Sequence, residues 1–343
     1  MSYITFQPSD HFNTKLYTGD GTTSNAQTGI GFQPDLVWTK GRSDAYDHTL
    51  TDAVRGATKY LISNSTNAEA TGNIVTSFDS DGFTLGNRGE ANNNNSTYVA
   101  WNWKANGAGS SNTDGSITST VSASTTSGFS IVTYTGTGSA ATVGHGLGSA
   151  PSVIIQKKRS ASATWLVKHP AIGTDGYIRL DATNASATDS AIWNSTDPTS
   201  TVFSIGTDAT INGGGATNVA YCFAEKKGFS KFGSYTGNGS TDGTFVFCGF
   251  KPAFILFKET TVARDWIMYD NKRIGYNPTQ SQLQANGSGA ETTDTTAPID
   301  LCSNGFKLRG TKTWINESGQ TYIFMAFAEH PLVSSNDIPA TAR

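Results

Sequence analysis

Charge is scarce in this chain. Asp, Glu, Lys and Arg make up 15% of its 343 residues, against roughly 25% in an average soluble domain. The net charge is -3, which gives nucleic-acid binding no electrostatic footing and makes any polyanionic partner unexpected. Cysteine is rarer still. Cys222, Cys248 and Cys302 are odd in number and widely spaced, which argues against a disulfide framework or a zinc knuckle. No apolar run approaches the roughly 18 residues of a membrane span, so membrane insertion is not expected. The opening residues, Met1 to Asp10, have neither a basic stretch nor an apolar core. A secretory route is therefore not expected, and synthesis in a reducing cytoplasm is. A sustained 3.6-residue apolar period is also missing: the best helical candidate, residues 50–62, is interrupted by Gly56.

Glycine is abundant at 37 residues, alongside Ser, Thr and Asn. That is the makeup of short strands joined by many turns. These residues are written as a threefold repeat. Gly31-Phe32-Gln33-Pro34-Asp35-Leu36-Val37-Trp38-Thr39-Lys40 returns with its glycine, proline, apolar triplet and lysine at Gly148 to Lys157 and at Gly249 to Lys258. Upstream, Tyr17-Thr18-Gly19 returns as Tyr134-Thr135-Gly136 and Tyr235-Thr236-Gly237 at the same offsets as Pro34, Pro151 and Pro252. Each unit closes on an apolar run, at Tyr98 to Trp103, Asn218 to Glu225 and Tyr322 to Glu329. Proline belongs at a strand start rather than inside a central strand. The triplets Leu36-Val37-Trp38, Val153-Ile154-Ile155 and Phe254-Ile255-Leu256 do not alternate, which predicts a strand covered on both faces.

A period near 100 residues (151 − 34 = 117; 252 − 151 = 101) is too long for a solenoid or propeller blade and fits a β-sandwich. The expectation is all-β, with three tandem β-sandwich, jelly-roll-like domains at 12–105, 129–227 and 228–330. Residues 106–128, rich in Gly, Ser and Thr, read as a flexible linker. Units two and three, joined around Lys226-Lys227-Gly228, are expected to pack together. Segments 1–11 and 331–343 lie outside the repeat and suit docking onto a partner or a sister subunit.

No catalytic residue, cofactor site or metal site is expected. Asp79-Ser80-Asp81-Gly82 has a faint calcium-loop look but lacks the terminal bidentate glutamate, and a hairpin turn accounts for it. Gly213-Gly214-Gly215 lacks the lysine and the strand-to-helix context of a phosphate loop. His11, His48, His145, His169 and His330 show no ligand spacing, and His48 falls where the other units have Trp165 and Trp266. Cys248 falls where the others have Ile30 and Leu147, so it reads as a small buried hydrophobe. Trp101 and Trp103 share one strand face. A sugar platform is one reading, but Tyr221 with Phe223 and Met325 with Phe327 occupy the same places, which favours the core. Lys40, Lys157 and Lys258 read as solvated strand ends protected against edge pairing.

The opening Ile4 to Gly19, the Gly31 to Trp38 segment, Val54-Arg55-Gly56-Ala57-Thr58-Lys59-Tyr60-Leu61, Ser77 to Leu85 and Tyr98-Val99-Ala100-Trp101 resemble virion proteins of tailed bacteriophages. The likeness is to tail-fibre or tail-associated structural proteins of marine and cyanobacterial phages. Unit one carries most of it. The Val-Arg-Gly-Ala motif is absent from unit two, and Arg273 echoes Arg55 in unit three. The resemblance implies a non-enzymatic virion component without fixing its place on the particle. Taken with the tandem sandwich units and the lack of a catalytic constellation or export signal, it leads to the expectation of a tail-fibre or tail-tip protein that contacts other virion proteins and takes part in host attachment. Avidity for a weakly bound host surface glycan calls for a homo-oligomer, with a trimer favoured. Recognition is expected in loops 186–199 and 286–298. A head-decorating fibre or cement protein and a polysaccharide-degrading virion enzyme are the alternatives, the latter needing paired carboxylates that do not recur between units.

Overall fold

The structure, a computed structural model, describes residues 4–329, 332–334 and 339–340, with side chains over residues 6–329. Strand makes up 42% and helix 7%, so the class is all-β. Each unit builds one large antiparallel sheet. In unit one the strand order is Phe12–Thr18, Thr97–Trp103, Leu36–Gly41, Thr49–Asp52, Lys59–Ile62, Ala70–Thr71. In unit three it is Ser230–Thr236, Thr321–Ala328, Pro252–Glu259, Ile267–Asp270, Ser281–Gln284, Thr292–Thr293. In unit two it is Phe129–Thr135, Thr217–Phe223, Val153–Lys158, Leu166–Lys168, Gly176–Arg179, Ala187–Thr188. A smaller sheet covers the outer face of each, built on the pairs Asn25–Thr28 with Gly82–Leu85, Ala141–Gly144 with Val202–Ile205, and Phe245–Phe247 with Gly305–Leu308.

The prolines hold equivalent places. Just after Pro34 and Pro151, the Asp35 and Ser152 N–H groups donate to the Trp103 and Phe223 carbonyls at 2.8 Å. Pro252 opens its strand opposite Ala328, with a bulge before Phe254 reaches Phe327. Lacking an N–H, each proline sits where the ladder begins and costs it nothing.

The triplets explain the architecture. Val37 and Ile154 pack outward into their own sandwiches, with Phe83 and Leu85 in unit one and with Phe203 and Ile205 in unit two. Ile255 is as deeply buried as they are. Leu36 and Trp38 turn inward, as do Val153 and Ile155, and Phe254 and Leu256 join them in one shared core. Aromatic rings cross all three units there: Trp103 lies 6.4 Å from Phe223, 5.9 Å from Phe254 and 5.6 Å from Phe327, centroid to centroid. Both faces of each proline strand are therefore apolar because one meets its own small sheet and the other meets the neighbouring units.

The tyrosine of each Tyr-Thr-Gly repeat donates to a carbonyl of a one-turn helix, Ala91, Ile211 or Ile315, at 2.8–2.9 Å. The glycine follows because the chain after that helix presses on it: a Cβ at Gly19, Gly136 or Gly237 would lie 2.2–2.5 Å from a carbonyl oxygen. Asn92, Asn212 and Asn316 end these helices fully buried. Each donates its amide to two carbonyls and accepts one main-chain N–H, which locks the turn.

One expectation about connections changes. Segment 106–128 is not a free linker: Ser110–Asn112 and Ser119–Ser124 extend the large sheet of unit two beside Phe129–Thr135. Its Ser and Thr composition suits a polar edge as well as a coil. The terminal segments pair with each other, Ile4–Phe6 against Leu332–Ser334 and the latter against Pro339–Ala340. The remaining parts of 1–11 and 331–343, with His330, lie partly outside the described residues.

Candidate functional site

The seams between units carry most of the buried polar chemistry. Lys40, Lys157 and Lys258 are not solvated: all three are fully buried. Each ammonium crosses a seam. Lys157 donates to Thr66 O in unit one at 2.7 Å and to Ala163 O. Lys258 donates to Thr183 O in unit two at 3.2 Å and to Glu259 O. Lys40 donates to Ser288 O in unit three at 3.1 Å and to Gly41 O. Lost hydration pushes each down to about 8. Trp165 donates to Ile62 O at 2.8 Å and Trp266 to Arg179 O at 2.7 Å. At the third seam His48 takes the Trp38 indole N–H at 2.9 Å, and approaches the Gln284 main chain without completing a hydrogen bond. The pattern is cyclic: two grips one, three grips two, one grips three.

Arg55 and Arg273 belong to these seams. Arg55 is fully buried against Asp52 at 2.5 Å and Glu69 at 3.1 Å, and donates to the Tyr221 hydroxyl of unit two at 3.1 Å. The opposing carboxylates raise its guanidinium pKa against the pull of burial. Arg273 repeats this with Asp270 at 2.6 Å and Glu291 at 3.2 Å, while Asp270 accepts the Trp101 indole N–H of unit one at 3.1 Å. Glu69 and Glu291 also hold Arg159 and Arg42 across the seams, at 2.8 and 3.0 Å. These clusters have every charge paired inside the fold, so they bind units rather than ligands.

A groove runs from the edge of unit one, at Phe12 to Thr14, along unit three. One end, about 400 Å³, is lined by Phe12, Asn13, Thr14, Asn271, Lys272 and Glu329 among others. It continues past Asn271 and Glu329 into a waist of about 100 Å³ with Tyr276, Asn277 and Thr279. Beyond Lys251, Asn277 and Leu301 it opens into a second lobe of about 440 Å³ beside Phe245 and Asn304. Each lobe lies within the roughly 300–1,000 Å³ of small-molecule sites. The groove owes its waist to an insertion. Six residues separate the fourth and fifth strands in unit one (53–58), seven in unit two (169–175) and ten in unit three (271–280). The extra residues present Tyr276 74% exposed, and the neighbouring edge strand presents Phe245 and Phe247, the latter 64% exposed.

Three oxygens in the groove wall are shielded and have no hydrogen-bond partner in the chain: Thr14 Oγ1, Asn271 Oδ1 and Thr279 Oγ1. Glu329 is held by Lys251 at 2.7 Å. Burial pushes the Cys302 thiol up, away from thiolate chemistry.

The other residues singled out in the sequence have structural places. Trp101 and Trp103 are buried in the shared core, not displayed as a platform. Asp79 to Gly82 is a tight hairpin, and Asp81 accepts the Gly29 and Gly31 N–H groups at 2.9 and 2.7 Å. Gly213 to Gly215 turns after a one-turn helix, with Gly215 at φ +74°. Cys248 is buried like Ile30 and Leu147. Loops 186–199 and 286–298 are partly consumed by the seams, through Ser186 N–H to Thr260 O at 2.9 Å and Glu291 N–H to Arg42 O at 2.8 Å. Among the described residues no three His, Cys, Asp or Glu side chains gather as a metal site, and no helix is long and apolar enough to cross a membrane. The groove escaped sequence reading, although the four-residue insertion around Tyr276 was its visible trace.

No curated protein matches this chain. A family model described as "Domain of unknown function (DUF7483)" matches residues 7–331. The match runs through all three units, as befits units that share one core, and the chain belongs to the DUF7483 family.

Proposed function

We propose that this chain is a structural component of a tailed-phage particle, at a tail fibre or tail tip, where it contributes to host attachment without catalysing a reaction. The observation that carries the reading is the cyclic closure of three β-sandwich units within one chain. Such a body resists shear because no unit can leave without exposing the shared aromatic core, a useful property in an external particle part. The outer surface, with its groove, is left free for contact with a host glycan. The inner faces are already closed on one another, so contacts with other virion proteins and with sister copies fall to the outer surface. A homo-oligomer, with a trimer favoured, multiplies weak contacts into avidity.

Antibody against the purified chain, applied to intact particles and read by electron microscopy, tests the placement. Labelling at the tail end is the expected result, and labelling of the head lattice would move the protein to a decorating role. Release of reducing ends from host polysaccharide by the purified chain would overturn the non-enzymatic reading. Native mass measurement reads the oligomer, and a strict monomer would remove the avidity argument.

A further inference from the structure

We infer that the groove of unit three binds a neutral oligosaccharide, with Tyr276 as the stacking surface and Thr14, Asn271 and Thr279 as hydrogen-bonding partners. This deepens the attachment reading, and rests on it for the source of the sugar but not for the binding itself.

Unpaired polar atoms decide the ligand class. Thr14 and Thr279 are more than nine-tenths buried, and an unmet buried hydroxyl costs free energy that a fold normally avoids. Two such hydroxyls and one amide oxygen belong to side chains of the groove lining, and a side-chain rotation that brings them to the surface lets a ligand rich in hydroxyls complete the set by both donating and accepting. Charge argues the same way. Glu329 is neutralised by Lys251, so the groove holds no unpaired carboxylate for a cation. Lys272 supplies a lone cation in the lining of one lobe, with no bidentate guanidinium beside it for an anion. Tyr276 and Phe245 add ring faces, whose negative quadrupole attracts the weakly positive C–H face of a sugar ring. Two lobes joined by a waist fit an extended chain of sugar rings better than a single compact molecule.

The waist and the Phe245 lobe are built by unit three alone, while unit one lends Thr14 to the other lobe. Units one and two lack the longer loop and place no counterpart of Tyr276 there. One chain therefore binds one oligosaccharide, and valency comes from the number of chains.

The test is saturation-transfer NMR titration of the full chain with maltotriose, cellotriose and chitotriose, with trigalacturonate as the anionic probe. At least one neutral probe should bind with a Kd on the order of 1 mM. Tyr276→Ala should weaken it about threefold to tenfold through lost stacking. Thr279→Val keeps the side-chain shape, and should weaken it about twofold to tenfold through one lost hydrogen bond. Val262→Ala, an exposed apolar position away from the groove, should leave binding unchanged. Absence of saturation by all three neutral probes would overturn the inference, as would binding of trigalacturonate alone or equal binding by both groove variants. Particle labelling with no sugar binding sinks the groove and spares the attachment reading. Sugar binding by a chain absent from the particle does the reverse.

Discussion

The three seams use one geometry and two chemistries. Units one and three meet their neighbours with Asp52, Arg55 and Glu69 or with Asp270, Arg273 and Glu291. Unit two has His169, Ile172 and Ser186 at the same places. Its His169 reaches the Phe324 carbonyl of unit three at 3.3 Å, where Asp52 reaches the Tyr221 hydroxyl at 2.8 Å. The main-chain bonds survive the exchange: Glu69, Ser186 and Glu291 each donate their N–H to the next unit at 2.8–2.9 Å. Backbone pairing and the apolar core thus set the seam, and the ion clusters fill it. A buried ion pair is weak evidence of net stabilisation, because desolvation opposes its Coulomb attraction.

The largest effect should come from breaking such a cluster without replacing it. Arg55→Ala leaves Asp52 buried and unpaired, and should cost about 3–5 kcal/mol in urea unfolding. Copying unit two into unit one, with Asp52→His and Arg55→Ile together, should cost clearly less than Arg55→Ala alone. Equal costs would mean that the two chemistries are not interchangeable and that the ion cluster itself defines the seam.

Next in size are the sandwich cores, which lie away from the seams. Val37, Ile154 and Ile255 are buried to within 1%, and Ile154→Ala or Ile255→Ala should cost about 2–4 kcal/mol through the cavity left behind. The two should agree although one unit has a polar seam and the other an ionic one. A near-zero cost at Ile154 would show that unit two is held by its seams and not by its own sandwich.

Much of this was legible in the sequence. The prolines and the triplets marked the doubly covered strand of each unit, and the Tyr-Thr-Gly repeats fixed the boundaries of the repeat, because those features answer to local backbone rules. The unbroken apolar character of Leu36-Val37-Trp38 even announced a second covered face. What covered it was not legible, since cyclic contact between units at offsets of 117 and 101 residues leaves no local trace. The lysines were misread for the same reason: a lysine at a strand end looks solvated until a neighbouring unit supplies carbonyls. Segment 106–128 has the composition of a coil, and only its neighbour Phe129–Thr135 makes it sheet. The groove depends on hydroxyls left unpaired in the folded state, which a sequence does not display.

Acid should weaken the seams that hold a buried histidine. Burial lowers His169 to about 4, and its Nδ1 accepts the Ala171 N–H at 3.2 Å, a bond that protonation destroys. A histidine with a depressed folded pKa contributes stability that is present above its unfolded value near 6.5 and is lost as pH falls towards 4. Unfolding free energy should drop by no more than about 3 kcal/mol across that window, and His169→Gln should flatten the drop. An unchanged slope in that variant would place the acid sensitivity in a different group.

The smallest effect should fall on the feature that sets unit three apart from unit one despite their matching ion clusters. Arg55 and Arg273 sit three residues after Asp52 and Asp270, yet the chain then takes four more residues to reach the fifth strand in unit three. Those residues carry Tyr276, which is 74% exposed and has little contact to lose. Tyr276→Ala should therefore change stability by less than about 0.5 kcal/mol, as surface changes away from caps and cores do. If the insertion existed to support the seam, the same substitution would loosen the Asp270–Arg273 pair and lower the unfolding midpoint measurably. A stable variant that has lost sugar affinity separates the two demands on unit three, since the Asp–Arg cluster recurs in unit one and the longer loop does not.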